Sequence, residues 1–184
     1  MMNNKLLIKL FIASEALFFL SLMVAYVYFW QAAHFRKEAL DHLSITTTGT
    51  FTVLLVLSSL TFWLSERMHH RGLIRASSFF LLVTILLGCI FLVGQAHEYY
   101  KLINEDITIG KDEFGTSFFT LTGFHGLHVL LGLITLGILC YLLIKGHLRD
   151  KGNSTLAAVG IYWHFVDVVW LAVFTLIYVL PHFL

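Results

Sequence analysis

Apolar residues fall into five long runs, separated by short polar connections. The runs cover residues 6–33, 45–64, 76–99, 116–144 and 156–180, and each is 20 residues or longer. A helix rises about 1.5 Å per residue, so about 20 apolar residues cross a hydrocarbon core roughly 30 Å thick. Membrane barrel strands are only about ten residues long and alternate polar with apolar. These runs are too long and too continuous for that. The pattern predicts an all-α, polytopic membrane helix bundle: five transmembrane helices in a single membrane domain over residues 1–184. The first run exceeds a signal h-region and no small-residue cleavage site follows it, so it is expected to be a retained helix. No lipidation signal is evident at either end. No internal repeat or long linker divides the chain.

Composition narrows the class. Hydrophobic residues make up 58% of the chain and charged residues 12%, against about 25% charged in soluble domains. A water-soluble monomer is excluded for want of polar surface. Disorder is excluded because it goes with low hydrophobicity and high net charge. A net charge of +1 supplies no basic patch, so no nucleic acid partner is expected. Cys89 and Cys140 lie inside apolar runs and read as small buried hydrophobes rather than a disulfide.

The basic residues set an orientation. Lys5, Lys9, Arg67, Arg71, Arg75, Lys145, Arg149 and Lys151 fall on one side; Arg36, Lys37, Lys101 and Lys111 fall on the other. Basic short loops favour the cytoplasm, which predicts a cytoplasmic N-terminus and an outside C-terminus. Glu38, Asp41, Glu105, Asp106, Asp112 and Glu113 lie on the predicted outer side. Arg67, His69, His70 and Arg71 are expected in an inner loop that anchors topology. Trp30, Tyr99, Tyr100 and Tyr178 are expected in interfacial belts with no further role.

Three acids fall inside the apolar runs: Glu15, Glu98 and Asp167. A central acid costs roughly 2.5–3.5 kcal/mol on insertion scales, so it must face protein, water or a partner. No Lys or Arg lies deep in a run to pair with them. Each acid has polar neighbours. Ser14 precedes Glu15. Gln95 is three before Glu98, and His164 is three before Asp167, spacings that share a helix face. His125 and His128 repeat the spacing beside Gly123, Gly126 and Gly132, small residues that permit close helix approach. The histidines suit inter-helix hydrogen bonding that fixes packing. Metal or haem ligation is the other reading, and it needs three or four converging donors that spacing alone does not supply. His164 and Asp167 read as a structural hydrogen bond or a proton relay. The three acids together also admit a small proton-coupled transporter, although no repeat of the transporter kind is present.

Ser14-Glu15-Ala16-Leu17-Phe18-Phe19, Gln95 to Tyr100, Thr122-Gly123-Phe124-His125-Gly126-Leu127-His128-Val129 and Tyr162 to Trp170 together resemble subunit III of the haem–copper terminal oxidases. Order and intervening lengths also fit, over nearly the whole chain. The mitochondrial-type subunit has seven helices; this chain is similar to the last five, as in short bacterial forms. Its ending, Val179-Leu180-Pro181-His182-Phe183-Leu184, departs from the usual tryptophan-rich one. The resemblance implies a non-catalytic accessory subunit of an aerobic, proton-translocating oxidase in the bacterial plasma membrane. It would sit beside subunit I, with subunit II and other respiratory-complex subunits as partners. It would carry no cofactor or metal itself; haem and copper would lie in the partner subunits. The family's subunit supports proton uptake by subunit I, protects it during turnover and binds phospholipid. Glu15 falls on the family's buried carboxylate. Proton-uptake support, lipid contact or interface roles are thereby expected of Ser14, Glu15, Gln95, Glu98, His125, His128, His164 and Asp167. A quinol oxidase or nitric oxide reductase setting fits the same motifs.

Overall fold

The computed structural model describes residues 4–33, 41–148 and 152–183. Arg36, Lys37, Glu38, Arg149 and Lys151, which bear on the orientation, lie outside the described residues. Five long helices account for the apolar runs: α1 (Asn4–Ala33), α2 (Ile45–His70), α3 (Ile74–Asn104), α4 (Glu113–Ile144) and α5 (Gly152–Phe174). A wider π turn, Thr175–Val179, carries α5 into the short α6 (Leu180–Phe183). No strand occurs among the described residues. All five helical segments are long and apolar enough to cross a membrane.

The helices overrun the expected spans. α2 continues to His70 and α3 to Asn104. An apolar run measures hydrocarbon thickness, whereas the helix continues while its backbone bonds remain favourable. Arg67, His69 and His70 therefore sit in the last turn of α2 rather than in a loop. There their positive or polar ends complement the helix C-terminus, and Arg67 lies over the Trp63 ring at 5.2 Å. Gly72, at φ +74°, ends the helix in a conformation open to glycine. Ser44 caps α2 by accepting from the Thr47 N–H at 3.3 Å, and Asp112 caps α4 by accepting from the Gly115 N–H. Between α3 and α4, Lys111 Nζ lies 2.7 Å from Asp106, and this ammonium holds the exposed Asp106 carboxyl below its usual range.

Helices α2, α3, α4 and α5 pack in a closed ring, each against the next and α5 back onto α2, while α1 lies outside against α4 and α5. Only 11% of the apolar window of α1 is buried, against 44% for α5, so α1 is the peripheral helix. Glycines fix the tightest approaches. The indole of Trp163 is fully buried and lies between Gly88 of α3 and Gly132 of α4, where an added Cβ would come within 3.0 Å and 2.8 Å of its ring. Gly94 similarly receives Phe51 and Gly160 receives Phe62. Small hydroxyl residues join α2 to α3. Ser65 Oγ donates to Ser77 O at 2.8 Å, and Thr61 and Thr84 are linked at 2.8 Å. Such bonds supply the inter-helix adhesion that lipid cannot. Cys140 is buried as expected, but Cys89 is exposed. It sits one residue beyond Gly88, turned away from the face that meets Trp163.

Candidate functional site: buried acids between helices

The first cluster joins α1 to α4. Glu15 Oε2 lies 3.0 Å from His128 Nε2. His128 Nδ1 lies 2.7 Å from the Phe124 carbonyl oxygen, which can only accept, so Nδ1 carries a proton. The Glu15–His128 contact then holds one proton, either on the carboxyl or on Nε2. In both forms the pair is neutral overall, which answers how Glu15 sits in an apolar helix without a Lys or Arg nearby. Phe18 and Phe19, three and four residues after Glu15, share its face. The Phe19 ring lies 4.9 Å from His128 and 6.4 Å from His125. Tyr162 of α5 donates to the His128 carbonyl at 3.1 Å. The side chains of His128 and Glu15 keep 12% and 22% of their surface exposed, so the pair stands at the outer surface of the bundle. Ser14 does not join it: its hydroxyl donates to Phe11 O on its own helix at 2.7 Å.

The two histidines part company. His128 makes the expected inter-helix bond. His125 is fully buried and neither ring nitrogen has a hydrogen-bond partner. It stacks instead on Trp170 at 4.7 Å, with Phe91 at 5.9 Å. The hydrogen-bonding expectation is therefore corrected for His125, whose ring packs as an aromatic.

The second cluster joins α2 to α5. The Ser59 hydroxyl donates to Asp167 Oδ2. Its single proton being spent there, it accepts from His164 Nδ1 at 2.8 Å. His164 and Asp167 do share a helix face, but they meet through Ser59 rather than directly. Trp163 and Trp170 extend the same seam by donating to Ser58 Oγ at 3.1 Å and Thr52 Oγ1 at 2.9 Å.

The third cluster joins α2, α3 and the π turn that follows α5. Glu98 accepts from Thr48 Oγ1 at 2.8 Å and from the Tyr178 hydroxyl at 2.6 Å. Tyr178 is thus no belt residue. It is 2% exposed and lies within the π turn. Tyr99 also turns inward, bonding Thr122 Oγ1 at 2.8 Å, while Tyr100 is 67% exposed. Gln95 shares a face with Glu98 yet serves another neighbour. Its amide donates to Thr122 O at 2.7 Å and to Tyr99 at 3.2 Å. Gly126 clears the space, since a Cβ there would lie 2.8 Å from Gln95 Oε1. Ser59, Thr48, Thr122 and Tyr178 are the partners that sequence reasoning missed. Ser and Thr within apolar runs were the available signal.

No three His, Cys, Asp or Glu side chains are grouped as a metal site among the described residues. The fold and its polar seams define a multi-pass membrane subunit whose interior carboxyls and histidines connect helices. A family model, Cytochrome c oxidase subunit III, matches residues 2–181. The cytochrome c oxidase subunit 3 of Corynebacterium diphtheriae is 36% identical over 173 residues, covering 91% of this chain and 83% of that protein. The cytochrome bo(3) ubiquinol oxidase subunit 3 of Buchnera aphidicola is 31% identical over 181 residues, covering 97% and 95%. The cytochrome c oxidase subunit 3 of a Synechocystis species is 32% identical over 175 residues, covering 94% and 74%. The chain belongs to the cytochrome c oxidase subunit III family and is a subunit of a haem–copper terminal oxidase.

Proposed function

We propose that this chain is the cofactor-free accessory subunit of that oxidase, a single membrane domain seated against subunit I in the bacterial plasma membrane. Subunit II and other respiratory-complex subunits complete the assembly, and haem and copper reside in the partners. Its task is to support proton uptake by subunit I and to prolong its working life. The Glu15–His128 contact carries this reading. It holds one mobile proton in a neutral pair at a partly exposed surface of the bundle, where a neighbouring subunit has access to it. The Ser59–His164–Asp167 and Glu98 clusters keep the helices behind that surface in register. An apolar groove of about 660 Å³ between α1 and α5, bordered by Leu20, Met23, Val24, Leu171 and Leu176, supports binding of a phospholipid acyl chain. The basic and acidic loop asymmetry supports a cytoplasmic N-terminus and an outside C-terminus.

The test is purification of the tagged chain from its native membrane in mild detergent. Haem bands in a reduced-minus-oxidised spectrum, together with a copurifying subunit I-like polypeptide, are expected. A colourless preparation without such a partner, under conditions that keep complexes intact, would overturn the reading. Both cytochrome c and ubiquinol oxidases appear in the names of the relatives, and the haem type in the same spectrum narrows the electron donor.

A further inference from the structure

A second cavity lies at the end of the bundle that carries the α1–α2 and α3–α4 connections, away from the Glu15–His128 pair. It is partly enclosed, with a volume of about 140 Å³. Its mouth holds His42, Ser44, Thr47, His97 and Lys101, all at least partly exposed. Its floor holds Phe91 and Trp170, both only 1% exposed. Glu98 and Thr48 lie between. The cavity thus runs from a polar rim to a position deep in the ring of helices.

Chemistry selects the occupant. A water needs roughly 10–15 Å³ of such volume and two to four polar partners, so the space admits several. An ionised carboxylate offers about four acceptor sites, and a protonated one a donor and the remaining acceptors; Glu98 uses two acceptor sites, one on each oxygen, for Thr48 and Tyr178. The remainder suit water. A bulky anion is disfavoured by the Glu98 carboxyl, and the lysine at the mouth is already engaged. Lys101 Nζ donates to His42 O at 2.9 Å and lies 3.7 Å from Glu105, while His42 Nδ1 lies 2.8 Å from Glu105. The other titratable groups around Glu98 are accounted for: Tyr178 of the π turn donates to it, Tyr99 of α3 turns to Thr122, and His97 of α3 is exposed. We infer that this cavity is a water-binding site anchored on Glu98 and continuous with the aqueous phase at that end of the bundle, giving Glu98 a route for proton exchange separate from the Glu15–His128 surface.

Trp163 and Trp170 supply an internal comparison. Both are fully buried, both donate an indole N–H to a hydroxyl of α2, and only Trp170 borders the cavity. The experiment is brief X-ray radiolysis of the purified oxidase complex, which makes hydroxyl radicals from water in place. It is run before and at intervals after rapid mixing into H₂¹⁸O, with peptide mass spectrometry as the readout. Oxidation of Trp170 about tenfold faster than Trp163 is expected where water is bound beside it, with ¹⁸O entering Trp170 within seconds of mixing. Equal, slow oxidation of both tryptophans would mean a dry cavity and overturn the site. Fast oxidation of Trp170 without ¹⁸O uptake would mean trapped water and overturn the route to the aqueous phase.

Discussion

At the scale of single residues, the interior acids are solved one by one, each with a different set of partners. Glu15 is paired with a histidine, Asp167 with a serine, and Glu98 with a threonine and a tyrosine. Only the first contact contains a proton that either partner can hold. Glu15→Gln therefore separates packing from proton use. Its amide can still donate to His128 Nε2, so thermal stability of the oxidase should stay close to the parent, while an inter-helix bond of about 1 kcal/mol is lost in Glu15→Ala. If the proton matters, Glu15→Gln will nevertheless shorten the number of turnovers before inactivation. Equal lifetimes of parent and Glu15→Gln enzyme, measured as oxygen consumption against time, would remove Glu15 from proton handling. Tyr178→Phe tests the inward placement of a residue that sequence assigns to the interface. It deletes the donor to Glu98 Oε2 and should cost about 1–2 kcal/mol, the penalty of an unmet buried acceptor. Tyr100→Phe, on an exposed ring, should cost nothing measurable in the same melting experiment.

At the scale of elements, glycine placement decides which helices touch. Gly132 faces the Trp163 ring, with an added Cβ at 2.8 Å, whereas Gly137, five residues on, meets nothing within 4 Å. Gly132→Ala should destabilise by about 1–3 kcal/mol through overpacking. Gly137→Ala should be neutral or stabilising by about 0.5–1 kcal/mol, because alanine loses less backbone freedom in a helix. Opposite signs in thermal unfolding are the expected result, and equal effects would mean that helix propensity alone governs α4. The same elements show what sequence makes legible. Helix number and order follow directly from apolar run length, since the bilayer imposes that length. The paired spacing of His164 and Asp167 correctly placed both on one face. What faced them was not legible, because Ser59 is 108 positions from Asp167 and nothing local marks it out from Ser58. The π turn was equally silent: Thr175–Val179 reads as ordinary apolar helix. His125 and His128 carried the same spacing signal, yet one is bonded and one is caged, a difference set by α1 and α5 rather than by α4.

At the scale of the whole molecule, the closed ring of α2 to α5 and the peripheral α1 define two levels of cohesion. The ring is held by tryptophans seated on glycines and by hydroxyl bonds along its seams. α1 is held by the Glu15–His128 contact, by Phe18 and Phe19 against the α4 histidines, and by Phe11 against Tyr162 at 6.3 Å. Most of its apolar surface faces outward, so hydrophobicity does not favour the ring over lipid. Specific contacts must therefore account for its attachment. Coexpression of the chain in two pieces, divided within the connection between α1 and α2, isolates that attachment. A tag on the ring fragment should retain the α1 fragment in mild detergent. Loss of a bond worth about 1 kcal/mol lowers an association constant about fivefold, so Glu15→Ala should reduce retention by roughly that factor at low protein concentration. Phe19→Ala should reduce it further, because it empties a site at the α1–α4 contact that is 1% exposed. Leu17→Ala, on a side chain 68% exposed, should leave retention unchanged. If Phe19→Ala alone reduces retention, packing of the apolar face holds the helix and the acid–histidine pair is free to serve the neighbouring subunit. If the ordering is as expected, one contact both fastens α1 and presents its proton at the surface, and loosening the helix and losing the proton function will go together in Glu15→Ala but separate in Glu15→Gln.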